Sequence, residues 1–154
     1  MLLGVTYDRT LSFSTHVEET VKAANKKLKI LAKLSYADWG ADKFELSRIY
    51  QGIVRTKMDY SASGWQPWVS ATQMNKLEVV QNKGLRLITG QTKSTPVEAL
   101  RLEAGTVSYS TISQRNTLIS YEKAARLPRG HPRREFLEAP VPKRNKRNLS
   151  LIHI

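Results

Sequence analysis

Between Val17 and Leu31, apolar residues recur at alternating intervals of four and three positions. The series is Val17, Val21, Ala24, Leu28 and Leu31. This spacing follows the turn of an α-helix, so the side chains share one face that must pack against a core. The pattern predicts a helix from about Thr15 to Leu34, opened by a capping box between Thr15 and Glu18. A long amphipathic helix this early in the chain favours a helical architecture.

A second series on the same predicted helix is basic. Its members repeat with the same alternation and line up along the solvent side: Lys22, Lys26, Lys29 and Lys33. Like charges aligned in this way repel one another unless an anion lies opposite. The chain also carries 25 Lys and Arg against 13 Asp and Glu, a net charge of +12, which favours nucleic acid or an anionic membrane face as partner. The alternative is a merely solvated lysine face.

The second helix is predicted from Asp42 to about Tyr60. Asp42 provides the cap, and Glu45 stands three residues further on. The expected core positions are Leu46, Ile49, Tyr50, Ile53 and Val54. The basic residues on its other side are Arg48, Arg55 and Lys57.

A tryptophan-rich turn, GWQPW, follows this helix. Since a residue before proline is disfavoured in the helical region, Pro67 is expected to hold Gln66 extended. Trp65 and Trp68 could stack on nucleic-acid bases, but packing around the helix connection is the favoured interpretation.

A third helix is predicted to start at Ser70, where Gln73 completes a capping box, and to stop at Gly90. The positions expected to face inward are Met74, Leu77, Val80 and Leu87. The basic residues left outside are Lys76, Lys83 and Arg86.

Two shorter segments complete the predicted bundle. Pro96 fits the first turn of a short helix that is capped by Ser94 or Thr95 and ends at Gly105. A last helix is expected over about 108–127, with four apolar positions. These are Ile112, Leu118, Ile119 and Ala125.

Both ends of the chain differ from the middle. Residues 2–7 (LLGVTY) predict one short strand, whose sheet is expected upstream because one strand cannot stand alone. The alternative is a marginal edge strand that packs on the helices. Residues 128–154 hold four of the six prolines and seven basic residues against two acidic ones, which predicts disorder. In this tail, 143–147 (KRNKR) is a weak nuclear-localisation or RNA-contact signal, with a solvated linker as the alternative. Residues 149–154 (LSLIHI) look like the translation of a transposase end sequence used in sequencing libraries, an artefact.

The predicted fold class is therefore mainly α: a small bundle of about four or five helices over 14–127. It follows a short strand and turn over 1–13 and precedes a disordered basic tail over 128–154.

Catalytic and metal-binding chemistry finds little support in the sequence. Polymerases hold two metal ions with paired carboxylates, whereas these aspartates are scattered, and no metal site or cofactor is expected. The aspartates in question are Asp8, Asp38, Asp42 and Asp59, and the histidines are His16, His131 and His153. No cysteine, P-loop or nucleophile motif is present. No apolar run approaches the ~18 residues of a membrane span, so no membrane-crossing helix is expected. We expect nucleic acid and no membrane as the partner of the basic surface, and an intracellular protein, nuclear or cytoplasmic.

Four sequence landmarks, in this order and spacing, resemble one known family. They are LGVTYDRTLSFSTHVEE (Leu3–Glu19), WQPW (Trp65–Trp68), LEVVQNKGLRLITG (Leu77–Gly90) and STPVEALRLEAG (Ser94–Gly105). They are similar to the region just after the palm in reverse transcriptases of non-LTR retrotransposons of the jockey and I-element kind. The resemblance covers roughly residues 2–127.

The resemblance implies a thumb and post-palm connection that holds the RNA/DNA template-primer duplex. The catalytic aspartates would lie upstream, so no enzymatic activity is expected from this chain alone. The duplex contacts that we expect are Lys22, Lys26, Lys29 and Lys33, with Arg48, Arg55, Lys83 and Arg86 as weaker candidates. Leu3 and Gly4 would have a primer-grip-like role. The implied partners are the palm and a possible downstream ribonuclease H domain. The alternative function is a helical protein-interaction or scaffold module that docks onto either of them.

Overall fold

The computed structural model describes residues 3–36 and 40–139, and this part of the chain is mainly helical. The long helices are α1, Ser14–Leu34, α4, Ala71–Thr89, and α6, Tyr109–Ala125. α2 comprises Lys43–Ile49, a π-helical segment Tyr50–Arg55 and a last turn Thr56–Asp59. The short helices are α3, Ala62–Trp65, which leads into a 3-10 turn Gln66–Trp68, α5, Val97–Glu103, and α7, Pro132–Glu138.

The predicted N-terminal strand is wrong, since the described residues include no strand. Leu3 and Gly4 have φ angles of 46° and 79°, which form a turn. The Tyr60 hydroxyl donates to the Leu3 carbonyl at 2.9 Å and holds this turn against the end of α2. Val5 forms an isolated β-bridge only, and the segment also bonds to α1, where the Thr6 N–H donates to the His16 Nδ1 atom at 3.2 Å.

α1 does not begin with the predicted capping box between Thr15 and Glu18. The helix follows Phe13, which has a φ of 55°, and no side chain at that position caps it. The Asp8 carboxylate takes the capping role: it accepts from the Ser12 N–H at 2.7 Å, from the Ser12 hydroxyl at 2.6 Å and from the Ser14 N–H at 3.3 Å. The hydrogen bond from the Ser12 hydroxyl is the main reason that the pKa of Asp8 is lowered.

α2 begins with the predicted capping box, in which Asp42 and Glu45 satisfy each other's backbone N–H groups. Its π-helical segment follows from the spacing of its buried residues. Leu46, Tyr50, Val54 and Met58 are each at most 4% exposed. In a regular α-helix, every four-residue step turns the side chain by about 40°, so the four would spread over about 120°. Local unwinding keeps them on one face. The other two predicted core residues, Ile49 and Ile53, are half-buried.

Contacts between α2 and its neighbours fix the direction of the bundle. The Arg55 guanidinium donates to the Gln81 side chain at 3.4 Å, and the Tyr50 ring packs on Gly84, so α4 runs antiparallel to α2. α2 also runs antiparallel to α1. Just before α2, the Ala41 N–H donates to the carbonyl of Leu34, the last residue of α1, at 2.8 Å. Just after α2, the Tyr60 hydroxyl donates to Leu3 in the turn that precedes α1. α1 and α4 are therefore parallel, with a core between them formed by residues such as Val17, Leu77 and Val80.

The boundaries of α4 match the prediction. The Ser70 hydroxyl accepts from the Gln73 N–H at 3.4 Å, and Gly90 ends the helix with a φ of 68°. The reciprocal half of the capping box is not formed: in the described part of the chain, the Gln73 Oε1 atom is buried without a hydrogen-bond partner. Leu77 and Val80 are buried as predicted, whereas Met74 and Leu87 are half-buried.

The C-terminal elements differ more from expectation. Pro96 itself occupies the N-cap position of α5, and no side chain caps this helix, so the cap predicted at Ser94 or Thr95 is wrong. In α6, Ile112 is buried, but Leu118 and Ile119 are 57% and 45% exposed. The second half of this helix lies against α7 rather than in the main core.

Helix α7 contradicts predicted disorder over the first part of the tail. The His131 side chain caps the helix by accepting from the Arg133 N–H at 3.2 Å. Arg134 donates to the Leu127 carbonyl at 2.8 Å and ties α7 to the end of α6. The segments 143–147 and 149–154 lie outside the described residues.

Candidate nucleic-acid interface

The four lysines of α1 form an exposed row on one side of the helix: Lys22, Lys26, Lys29 and Lys33. At about 100° per residue they fall within an arc of about 60°, and they span about 16 Å along the axis. Among the described residues, none of them has a carboxylate within ion-pair distance. The row therefore presents uncompensated positive charge to solvent.

The two acidic residues of α1 stand before this row and both have partners. Glu19 accepts from the Thr6 hydroxyl at 2.6 Å. Glu18 accepts from the Lys76 ammonium of α4 at 3.0 Å. The hydrogen bond from Lys76 is the main cause of the lowered pKa of Glu18.

The Glu18–Lys76 pair also shows which side of α4 adjoins the lysine row. Lys83 is seven residues beyond Lys76, so it lies on the same side of α4 about 10 Å further along. Lys22 and Lys26 stand about 6 and 12 Å beyond Glu18 on the parallel helix α1. Lys83, which is exposed, is thus level with the first two lysines of the row. We call Lys22, Lys26, Lys29, Lys33 and Lys83 the cationic face.

Arg86, three residues after Lys83 on α4, is half-buried. One terminal nitrogen donates to the Asn82 carbonyl at 3.4 Å. Its Nε atom is buried with no hydrogen-bond partner in the described part of the chain. The guanidinium is therefore only partly available to a ligand on the cationic face.

The two other candidate arginines lie on α2, away from the cationic face. The Arg55 side chain is only 15% exposed, pairs with Asp59 at 2.9 Å and lies 5.1 Å from the centre of the Tyr109 ring. Arg48 is exposed, with its guanidinium 5.7 Å from the centre of the Phe44 ring. The structure thus separates Arg48 and Arg55 from the lysines, and the contacts of Arg55 favour a structural role.

The predicted primer-grip-like residues, Leu3 and Gly4, lie against Tyr60 at the C-terminal end of α2. Leu3 is 84% exposed, and Gly4 packs against the Tyr60 ring so closely that a Cβ atom would lie 3.2 Å from it. A primer-grip role for these residues stays a prediction.

The WQPW turn is held by buried polar contacts that the sequence did not indicate. The Gln66 side chain accepts from the Ser113 hydroxyl and donates to the Tyr109 hydroxyl at 2.6 Å. Gln66 is helical, with φ −60° and ψ −36°, so the predicted extended conformation is wrong. These buried contacts outweigh the steric bias before Pro67. Burial is also the main cause of the raised pKa of Tyr109.

Trp65 has the predicted core role. It is 1% exposed, and its indole N–H donates to the Tyr60 carbonyl at 3.0 Å. The ring is therefore inaccessible for base stacking. Trp68 is half-buried against the same core.

Glu78 of α4 joins two further helices, α5 and α6. It accepts from the Tyr109 and Ser110 N–H groups at 3.1 and 3.2 Å, at the start of α6. It also accepts from the Arg101 side chain of α5 at 2.7 Å. Gln81, one turn later, donates to the Val107 carbonyl at 2.8 Å. These contacts place the helices without contributing to the exposed charge.

Two kinds of feature are not found in the described ranges, a cluster of metal ligands and a membrane-crossing helix. Over 3–36 and 40–139, no three His, Asp or Glu side chains are grouped so as to hold a metal ion. In the same ranges, no helix combines the length and the apolar character that a membrane crossing requires.

A scan against protein-family models gave no match, and searches of curated proteins and of solved structures gave no significant match. The likeness to retrotransposon reverse transcriptases therefore rests on the sequence landmarks.

Proposed function

We propose that this chain binds the phosphate backbone of a nucleic-acid duplex through its cationic face. It would act as the non-catalytic thumb and connection of a non-LTR retrotransposon reverse transcriptase. The observation that carries the proposal is the exposed row Lys22, Lys26, Lys29 and Lys33, which has no carboxylate partner in the described residues. Lys83 extends it onto a second helix.

The expected binding mechanism is electrostatic. Lysine ammonium groups neutralise phosphates and release condensed counterions, which gives affinity and position without reading sequence. Of the two tryptophans that could stack on bases, Trp65 is buried and Trp68 is half-buried. Their burial favours contact with the phosphate backbone over contact with the bases. The partners in this proposal are the RNA/DNA template-primer duplex, an upstream palm and a possible ribonuclease H domain.

The test is the salt dependence of binding to a labelled RNA–DNA hybrid duplex. Changing Lys22, Lys26, Lys29 and Lys33 together to alanine should reduce the slope of log affinity against log salt by up to about three or four units. Helicity should be retained, because alanine is the strongest helix former and the four positions are exposed.

The chain offers a matched control with the same change in net charge. Arg115, Lys123, Arg126 and Arg129 are exposed on α6 and just after it. Their replacement by alanine should leave the slope nearly unchanged. Equal slopes for the parent and the α1 variant, or equal losses in the α1 variant and the control, would refute binding by the cationic face.

A protein-interaction or scaffold role is the second candidate, and one observation favours it. Leu118, Ile119 and Tyr121 of α6 are 45–57% exposed, and exposed apolar side chains that lie close together are a feature of protein-contact sites. If this role is correct, either the parent chain does not bind the hybrid duplex, or the fourfold α1 variant binds it with the same affinity as the parent.

A further inference from the structure

The contact between Glu18 and Lys76 lies at the start of the lysine row. The two side chains come from different helices, are 51% and 40% exposed, and meet at 3.0 Å. Lys76 lies on the same side of α4 as Lys83, but its ammonium group is already paired with the Glu18 carboxylate. Loss of Lys76 would leave the Glu18 carboxylate without this partner.

Glu18 has a second cation within reach on its own helix. Lys22 is four residues further on, and a Glu followed by a Lys at this spacing is the favoured orientation of a helical ion pair. Lys22 already acts electrostatically on Glu18 in the structure, although Lys76 has the larger effect. Without Lys76, Glu18 still has Lys22 at the spacing of a helical ion pair.

We infer that Lys76 is a positioning residue: it occupies Glu18 and thereby keeps Lys22 available for phosphate. This inference rests on the proposed function. Lys76 then contributes to duplex binding without touching the duplex. Glu18, when it is not paired with Lys76, competes with a phosphate of the duplex for the Lys22 ammonium group. The row is four lysines long only while the pair between α1 and α4 is intact.

The test is a set of salt slopes measured on the full chain with the same RNA–DNA hybrid duplex. Lys22→Ala should reduce the slope by about 0.9, the value for one phosphate contact. Lys76→Ala should reduce it by a smaller amount, because an exposed Glu–Lys pair at this spacing is weak and Glu18 then occupies Lys22 only part of the time. The double variant Lys22→Ala/Lys76→Ala should lose no more than Lys22→Ala alone. Lys76→Ala/Glu18→Gln should recover the parent slope.

A direct contact between Lys76 and phosphate predicts a different pattern. The losses from Lys22→Ala and Lys76→Ala would then add, and Glu18→Gln would not restore the slope of the Lys76 variant. Either result overturns the inference. If Lys22→Ala and the fourfold α1 variant both leave the slope unchanged, the proposed function itself fails. Circular dichroism of each variant identifies any loss that comes from unfolding.

Discussion

His16 shows how one side chain couples the N-terminal turn to α1. It is 3% exposed, its Nδ1 atom accepts from the Thr6 N–H at 3.2 Å, and its ring lies edge-on to Trp65 at 5.1 Å. An imidazolium carries a hydrogen on both nitrogens and could not accept this bond. The contact therefore needs neutral His16. Burial is the main reason that the pKa of His16 is lowered, Lys57 adds to the effect and Glu19 opposes it.

We predict that stability falls as the pH drops below about 6.5, the ordinary histidine pKa. The folded pKa lies below that of the unfolded chain, so the unfolded state binds the proton first and protonation favours unfolding. His16→Asn offers the control, since the Asn carbonyl can accept from Thr6 but does not titrate. Urea unfolding from pH 7.5 to 5.5 should show a smaller decline for this variant. Equal declines would show that His16 does not contribute.

The Tyr109 hydroxyl is a second residue whose role can be isolated. It accepts from Gln66 and lies 3.1 Å from both the Met58 carbonyl and Asp59. Tyr109→Phe leaves the Gln66 amide buried without this partner, which should cost about 1–3 kcal/mol of unfolding free energy. Urea unfolding measures the change. Tyr121→Phe is the control because Tyr121 is 45% exposed, and it should be nearly neutral.

At the scale of elements, local sequence signals predicted what lies within one helix, and tertiary contacts set the rest. The caps Asp42, Ser70 and Gly90 act on their own helices, and the structure confirms them. By contrast, Asp8 caps α1 from the preceding turn, a contact that no helix pattern contains. The π-helical segment could have been suspected from the four-residue spacing of the buried residues from Leu46 to Met58. The helix that covers this face could not have been predicted from the sequence.

Two glycines in the long helices give opposite predictions. Gly84 supports the Tyr50 ring, with which a Cβ atom would collide, so Gly84→Ala should destabilise the fold by about 1–3 kcal/mol. Nothing lies within 4 Å of a Cβ atom built on Gly52, so Gly52→Ala should stabilise it by about 0.5–1 kcal/mol. Urea unfolding of both variants tests the packing of α2 on α4. If Gly84→Ala were also stabilising, the described contact would be wrong.

At the scale of the whole molecule, the sequence identified the charge but not its arrangement. The row on α1 follows from helical periodicity alone. That Lys83 joins it depends on the parallel packing of α1 and α4, which is seen in the Glu18–Lys76 pair and in the core formed by residues such as Val17 and Leu77. Arg48 and Arg55 lie on another helix, α2. The polar contacts of Gln66 and Glu78 could not be predicted from the sequence either, because their partners are 23–47 residues away in sequence.

The most direct test of the cationic face is lysine acetylation of the folded chain, with and without an RNA–DNA hybrid duplex, read out by mass spectrometry. We predict that the duplex protects Lys22, Lys26, Lys29, Lys33 and Lys83, while exposed Lys123 on α6 reacts at an unchanged rate. Protection of Lys123 equal to that of the face, or no protection of the α1 row by a bound duplex, would contradict it.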